Sequence, residues 1–421
     1  MKQITAILLG AGQRGTEIYA DYALQFPKEL KIVAVAEPRD DRRTALAAQH
    51  GIPAENVANT WEPLLARDKF ADCVFVCTQD RMHFEPVMTA LDKGYDVLCE
   101  KPMSSNKKEL VAMGNKAKES GRVLSIGYTL RYSRFFMKLK ELLEKGTIGQ
   151  LYAIQHMESV GYWHMAHSFV RGNWRREDET SSMIMQKCCH DMDILSWLVG
   201  APLEIVSSFG SLSHFRPENK PAGAPDRCLD GCLHRDTCPY YAPRFYLEHP
   251  DTATKEGFCK VLTMDTSREG IMRALETGPY GRCVYACDNT VVDHQVVNLS
   301  YRGGVTVSMT MSAFTKECER RIILMGSHGQ ILGNMEESII EIRDFATGAT
   351  TTIHIPTPAT HHSGSDTIMV KEFLQVLNNE GAQSRSNADV SVESHLAALA
   401  AEESRLANGK PIFIQEEYKK L

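Results

Sequence analysis

The spacing of apolar residues splits this chain into two regimes. Up to about residue 127, apolar runs of strand length (ITAILL, LKIVAVA, ADCVFVCT, YDVLCEKPM, VLSIGY) alternate with segments whose apolar positions recur near a helical period. Repeated strand-helix units predict a doubly wound parallel sheet, with ligands beyond the carboxyl ends of its strands. Beyond about residue 290 the period shortens to two. There VVDHQVVNLSYRGGVTVSMTMSAF, RRIILMGSHGQILGNM and SIIEIRDFATGATTTIHI alternate across glycine-containing turns, as in an antiparallel meander. Two helices are expected near the end, one beginning at Ser365 or Asp366 and one running to Gly409, before Pro411. The chain thus divides into an α/β domain over residues 1–127 and an α+β domain over 128–421. Between about 214 and 287 the periodicity lapses into a proline-, glycine- and cysteine-rich stretch, read as an insertion into the second domain.

Composition narrows the partners. With 47 basic and 53 acidic residues the net charge is -6, and no basic stripe is present to follow a phosphate backbone, so no nucleic-acid partner is expected. No apolar run reaches the roughly 18 to 20 residues that span a bilayer. The opening MKQITAILLGAG leads into a glycine motif instead of a cleavage site, and is read as the first strand of a cytoplasmic protein.

That glycine motif carries the first chemistry. Gly10-x-Gly12-x-x-Gly15 follows a strand and opens a helix, and the next strand ends in Glu37, 22 residues past the last glycine. In a dinucleotide fingerprint the first glycine permits the turn, the second admits a pyrophosphate, and the third lets helix and strand pack. A carboxylate at Glu37 accepts ribose hydrogen bonds and repels a 2'-phosphate, which favours NAD over NADP; Arg39, Arg42 and Arg43 nearby blur that preference. Thr78, His83 and Lys101 fall beyond strand ends, where such a ligand sits.

The second cluster is KCCHDMD, residues 187–193, inside MIMQKCCHDMDILSWLVG. Read as one helix, this places Lys187, His190 and Asp191 on a single face, at i, i+3 and i+4. Cys188 and Cys189 point about 100° apart, a poor geometry for a metal clamp or a disulfide. Histidine titrates near neutral pH and suits proton transfer. Two lysines in one pocket disfavour each other's charge, so Lys101 or Lys187 is expected to act as a base or as a donor to a carbonyl oxygen. A surface Lys187–Asp191 pair is the plainer alternative.

Together GAGxxG, CTQDRMH, EKPM and HDMDILSWLVG resemble the Gfo/Idh/MocA oxidoreductases, closely over residues 1 to about 212 and more loosely beyond. The resemblance implies an N-terminal Rossmann domain that binds a nicotinamide dinucleotide, followed by an α+β domain with an open, mainly antiparallel sheet. It matches Lys101 to the family's EKP lysine and His190 to its proton-transfer histidine. Inositol dehydrogenases resemble D-x-G-x-H here, whereas this chain has Gln186 at the aspartate position and Lys187 beside it.

Catalysis is therefore expected from Lys101, Lys187 and His190. Cofactor contacts are expected from Gly10, Gly12, Gln13, Arg14, Gly15, Glu37, Thr78, His83, Glu100 and Lys101. Substrate contacts are expected from Tyr128, Arg131, Trp163, Trp174, Asp191 and His361. The substrate class is a sugar, sugar derivative or cyclitol. Two alternatives stand beside simple hydride exchange: a redox-neutral enzyme that cleaves or eliminates through a keto-sugar on tightly bound NAD, and a noncatalytic dinucleotide-binding regulator.

Of twelve cysteines, Cys73, Cys77 and Cys99 sit in strand-like runs as small hydrophobes. Cys228, Cys232 and Cys238 share the turn-rich insertion, with Cys283 or Cys287 as a further ligand; structural zinc is the first reading there, unliganded thiols the second and an iron-sulfur cluster the third. The wide meander suits face-to-face pairing, so a homodimer or homotetramer is expected.

Overall fold

The computed structural model describes residues 2–249, 256–356, 364–379 and 382–415. Six strands, β1 (Ile4–Leu9), β2 (Leu30–Ala36), β3 (Val57–Ala58), β4 (Cys73–Val76), β5 (Asp96–Cys99) and β6 (Leu124–Ile126), form a parallel sheet in the order β3-β2-β1-β4-β5-β6. Every residue of β4 is buried, as the unbroken apolar run requires when both faces of a strand are covered. One face packs on the helices Phe84–Asp92 and Lys107–Ser120.

The other face is completed from the far end of the chain. Met369, Val370, Phe373 and Leu374 of the helix Ser365–Leu377 join Tyr19 and Phe75 in one cluster, with the Phe75 and Phe373 rings 6.0 Å apart. At the sheet edge, Ile126 N–H donates to Ser386 O at 2.8 Å.

The remaining strands form a second sheet of nine. They are β7 (Leu151–Ser159), β8 (Leu203–Ser211), β9 (His294–Tyr301), β10 (Thr306–Ser312), β11 (Glu319–Gly326), β12 (Gly329–Asn334), β13 (Ile339–Asp344), β14 (Thr350–His354) and β15 (Ile412–Phe413), in the order β14-β13-β12-β11-β7-β10-β9-β8-β15. All pairs are antiparallel except β7 with β10. The helix Ala388–Leu406, capped by Asn387 Oδ1 accepting from Asp389 N–H at 3.1 Å, packs against both β8 and the helix Lys107–Ser120. It couples the two layers.

Between β8 and β9 runs the insertion. It holds more regular structure than its composition suggests, with helices Ala242–Leu247, Glu256–Leu262 and Arg268–Thr277, the last capped by Ser267 Oγ accepting from Gly270 N–H at 3.1 Å. Among the described residues no helix is long and apolar enough to cross a membrane.

Candidate active site

The glycine turn leaves β1 beneath the end of β4. Gly10 takes φ +95°, and a Cβ there would lie 2.4 Å from the Cys77 carbonyl oxygen, so only glycine fits. A Cβ at Gly12 would meet nothing nearer than Arg42 Nη1 at 3.9 Å. Its backbone is therefore open to a pyrophosphate. Glu37, buried at the end of β2, accepts from Ala11 N–H at 2.8 Å and from Arg39 N–H at 3.0 Å. Those bonds pin the carboxylate beside the turn, where a ribose diol would lie. Arg39 is taken up by Asp41, and Arg43 by Asp40.

Several expected cofactor contacts have other partners. Arg14 pairs with Glu100 at 2.8 Å and Asp366 at 2.9 Å, and Tyr19 Oη donates to the same Glu100 oxygen at 2.7 Å. Gln13 Nε2 donates to Glu17 at 3.0 Å, and Thr78 Oγ1 to Met82 O at 3.1 Å. His83 is buried between Pro102 O at 2.7 Å and Thr78 O at 3.1 Å. Buried charge and polarity demand partners, so Arg14, Tyr19 and His83 hold the EKP turn through Glu100 and Pro102, whereas the Gln13 and Thr78 contacts are exposed.

From that turn Lys101 crosses to the second domain, its Nζ donating to Gln186 O at 2.8 Å. Nearby, Arg81 Nε donates to Thr180 O at 2.8 Å and Ser181 Oγ to Asp80 at 3.1 Å. The carboxyl edge of the parallel sheet thus meets the segment that leads into KCCHDMD. Behind it, His395 Nε2 accepts from Met103 N–H at 2.8 Å while Nδ1 donates to Ser391 O at 2.6 Å. Burial pushes this imidazole down to about 4, and it serves as a neutral brace.

The KCCHDMD helix is not continuous. It breaks at Lys187 and Cys188 into Met183–Gln186 and Cys189–Val199, so Lys187 does not share a helical face with His190 and Asp191. Lys187 turns to β7 instead, its Nζ 3.0 Å from Glu158. Sheet register builds this cluster, since Glu158 lies opposite Arg320 and His156 opposite Ile322 on β11. Arg320 Nε sits 2.9 Å from Glu158 and 2.8 Å from Asp191, and Asp191 also pairs with His156 at 2.8 Å.

Burial works against the Lys187 charge, but Glu158 outweighs it and holds the ammonium above its usual range. Burial opposes ionisation of Asp191 too, yet Arg320 and His156 keep it well below the carboxylate range. The mutual suppression of charge expected between two lysines does not govern Lys187, because a carboxylate stands between it and neutrality.

Asp191 is fully buried and does not face a substrate. Arg131, likewise buried, is held by Asp193 at 2.7 and 2.9 Å. Tyr128 is buried with its hydroxyl 2.9 Å from His395, and its ring meets the half-buried His190 edge-on at 5.7 Å. Trp163, almost fully buried, donates to Lys316 O at 3.2 Å, stacks on His164 and meets Phe258 edge-on, the contacts of a packing anchor. Trp174 is partly exposed. His361 lies outside the described residues. Burial pushes the Cys189 thiol up to about 12 and Cys188 well above its usual range, so neither supplies a thiolate.

Residues 4–128 match the family model described as an oxidoreductase family, NAD-binding Rossmann fold, and residues 140–405 match its C-terminal alpha/beta domain. The chain belongs to the Gfo/Idh/MocA oxidoreductases. Among curated Gfo/Idh/MocA relatives, an oxidoreductase of Bacillus subtilis is 25% identical over 268 residues, spanning 62% of this chain and 60% of its own length. The D-glucoside 3-dehydrogenase of Escherichia coli is 31% identical over 149 residues, 34% of this chain and 40% of its own. The chain thus matches less than two thirds of either relative. A levoglucosan dehydrogenase solved with NADH and L-sorbose shares the fold with TM-score 0.73 and 16% identity, over 98% of this chain and 99% of that one.

Within this Gfo/Idh/MocA scaffold Arg320, His156 and His395 carry no motif of their own, and neither do Glu158 and His164. Glu158 hides in an alternating strand, LYAIQHMES, whose period marks it as inward-facing without naming a partner. His164 ends the short helix Tyr162–His164 after β7, its Nδ1 3.8 Å from Cys318 Sγ, and burial together with Lys187, His167 and Lys101 pushes it well below the usual range.

The expected zinc ligands Cys228, Cys232, Cys238 and Cys283 all line one cavity of the insertion. Among the described residues, however, no group of three or more His, Cys, Asp or Glu side chains is arranged to hold a metal ion as it stands.

Proposed function

We propose that this chain is an NAD-dependent oxidoreductase that exchanges hydride with a hydroxyl-bearing carbon of a sugar, sugar derivative or cyclitol. The observation that carries the reading is Lys101 Nζ on Gln186 O at 2.8 Å, a bond from the EKP turn of the dinucleotide-fold domain to the residue that precedes the Lys187–His190 segment. Similarity to a D-glucoside 3-dehydrogenase and to the fold of a levoglucosan dehydrogenase supports a carbohydrate substrate.

Gly10, Gly12 and Gly15 would pass the pyrophosphate, and Glu37 the adenosine ribose, which favours NAD over NADP. When bound, the nicotinamide supplies hydride acceptance and donation. The residues supply the rest. Lys101 and the charged Lys187 donate to the substrate oxygen, stabilising the alkoxide-like charge that develops as its carbon loses hydride. His190 takes the hydroxyl proton as the C–H bond breaks and the carbonyl forms, and returns it in the reverse direction. Lys187 acts as a fixed cation and not as the base, because Glu158 keeps it protonated. Screening the full chain with NAD against a panel of sugars and cyclitols, following absorbance of the reduced cofactor, tests the reading. Tight NAD binding without accumulation of reduced cofactor would point instead to the redox-neutral enzyme if the sugar is still converted, and to a regulator if it is not.

A further inference from the structure

The insertion between β8 and β9 gathers cysteines that lie far apart in sequence. Cys228 N–H donates to Gly281 O at 3.0 Å and Cys283 N–H to Asp226 O at 2.8 Å, so the two cysteine turns run side by side. With Cys232 and Cys238 they line a cavity of about 20 Å³, room for roughly one water-sized species.

A backbone N–H of the neighbouring helix is aimed at one of these sulfurs. Ala242 N–H donates to Cys228 Sγ at 3.4 Å. Candidates for a different ligand set are engaged elsewhere. His234 also lines the cavity, but its Nε2 meets Ala222 O at 2.9 Å, and Cys287 Sγ, which does not line the cavity, meets Cys283 O at 3.3 Å.

A second, independent observation is Arg171. Its side chain is wholly buried against the same cavity, with Nη2 3.8 Å from Cys228 Sγ and 2.6 Å from Tyr240 O, and Nε 2.8 Å from Arg282 O. Those partners are two carbonyls and a sulfur, no carboxylate is among them, and Nη1 has no hydrogen-bond partner. A buried cation without an anion is costly. Neutral thiols do not balance it. Four thiolates around a divalent ion carry two net negative charges and do.

We propose that Cys228, Cys232, Cys238 and Cys283 bind a structural zinc ion as an all-thiolate tetrahedral site. Binding requires the four sulfurs to close from the rim of the cavity to about 2.3 Å from a common centre, with release of the thiol protons. Zinc fits because its four-ligand shell is filled by protein and leaves no open position, as in sites that stabilise a loop lacking its own core. The ion also has a mechanical consequence. Arg171 ends the segment Met165–Arg171 that follows Trp163 and His164, so the centre would fasten that wall of the site through a charge interaction.

The test is metal analysis of the full-length protein purified without chelator, followed by cobalt replacement. About one zinc per chain is expected, and the cobalt form should show thiolate-to-metal charge transfer with the visible bands of tetrahedral cobalt. Cys238→Ser and Cys283→Ser should each lose most of the zinc, while Cys259→Ser, a cysteine whose Sγ faces Tyr246 O at 3.6 Å, keeps it. Should the variants fail to fold, cobalt titration of the chelator-stripped parent protein still decides. Zinc below about a few tenths of an equivalent, iron with sulfide in its place, or cobalt spectra without thiolate bands would each overturn the proposal.

Discussion

Lys187 Nζ stands 3.0 Å from Glu158 Oε1, a carboxylate with no exposed surface that also lies 2.9 Å from Arg320 Nε. This contact gives the lysine a counter-ion that the helix pattern of KCCHDMD did not reveal. It holds the ammonium charged, which supports the fixed-cation role proposed for Lys187 over that of proton acceptor.

Replacing Glu158 with glutamine should therefore do two things. Breaking a buried ion pair from one side costs about 3–5 kcal/mol, readable as a lower urea midpoint. Lys187 would also lose its charge more readily, so the alkaline limb of the kcat/KM profile should move to lower pH. A variant with an unshifted alkaline limb would show that Lys187 does not report on the reaction.

Lys101→Met should leave cofactor binding measurable by fluorescence quenching but remove turnover, a loss of at least about 100-fold in kcat. Normal turnover in that variant takes the lysine out of the mechanism.

NAD should bind more tightly than NADP, and Glu37→Ser should narrow the gap by removing the carboxylate that repels a 2'-phosphate. Equal affinities in the parent protein would mean that Glu37 does not face the ribose.

His395 links stability to pH. Its folded-state value, about 4, lies below the ordinary 6.5, so between these limits the unfolded chain binds a proton that the folded one does not. Its contribution is present in full above pH 6.5 and is lost as pH falls toward 4. His395→Gln should take up about one proton fewer on unfolding near pH 5, measured from the slope of unfolding free energy against pH. An unchanged slope would show that the imidazole is already protonated in the fold.

Much of the architecture was legible because its signals are local. Gly10 and Gly12 announce a turn through what a Cβ would hit or leave open, and Glu37 follows at the distance one strand-helix-strand unit imposes. The period-two stretches became β9 to β14, as alternation between a buried and an exposed face demands. The site was legible only in part. Lys101 and Lys187 are visible in EKP and KCCH, but Arg131 and Asp191, expected at the substrate, turned out to be claimed by Asp193 and by Arg320 with His156.

What the sequence by itself determined is the periodicity of the strands and helices, and with it the order of the two sheets and where the glycine turn falls. Only the tertiary structure decided which charges meet: it brought β7, β11 and the broken helix together, and returned Phe373 and His395 from the end of the chain to the first sheet and its EKP turn. The reason is that a backbone pattern depends on neighbours in the chain, whereas the state of a buried charge depends on the neighbours in space that replace its water.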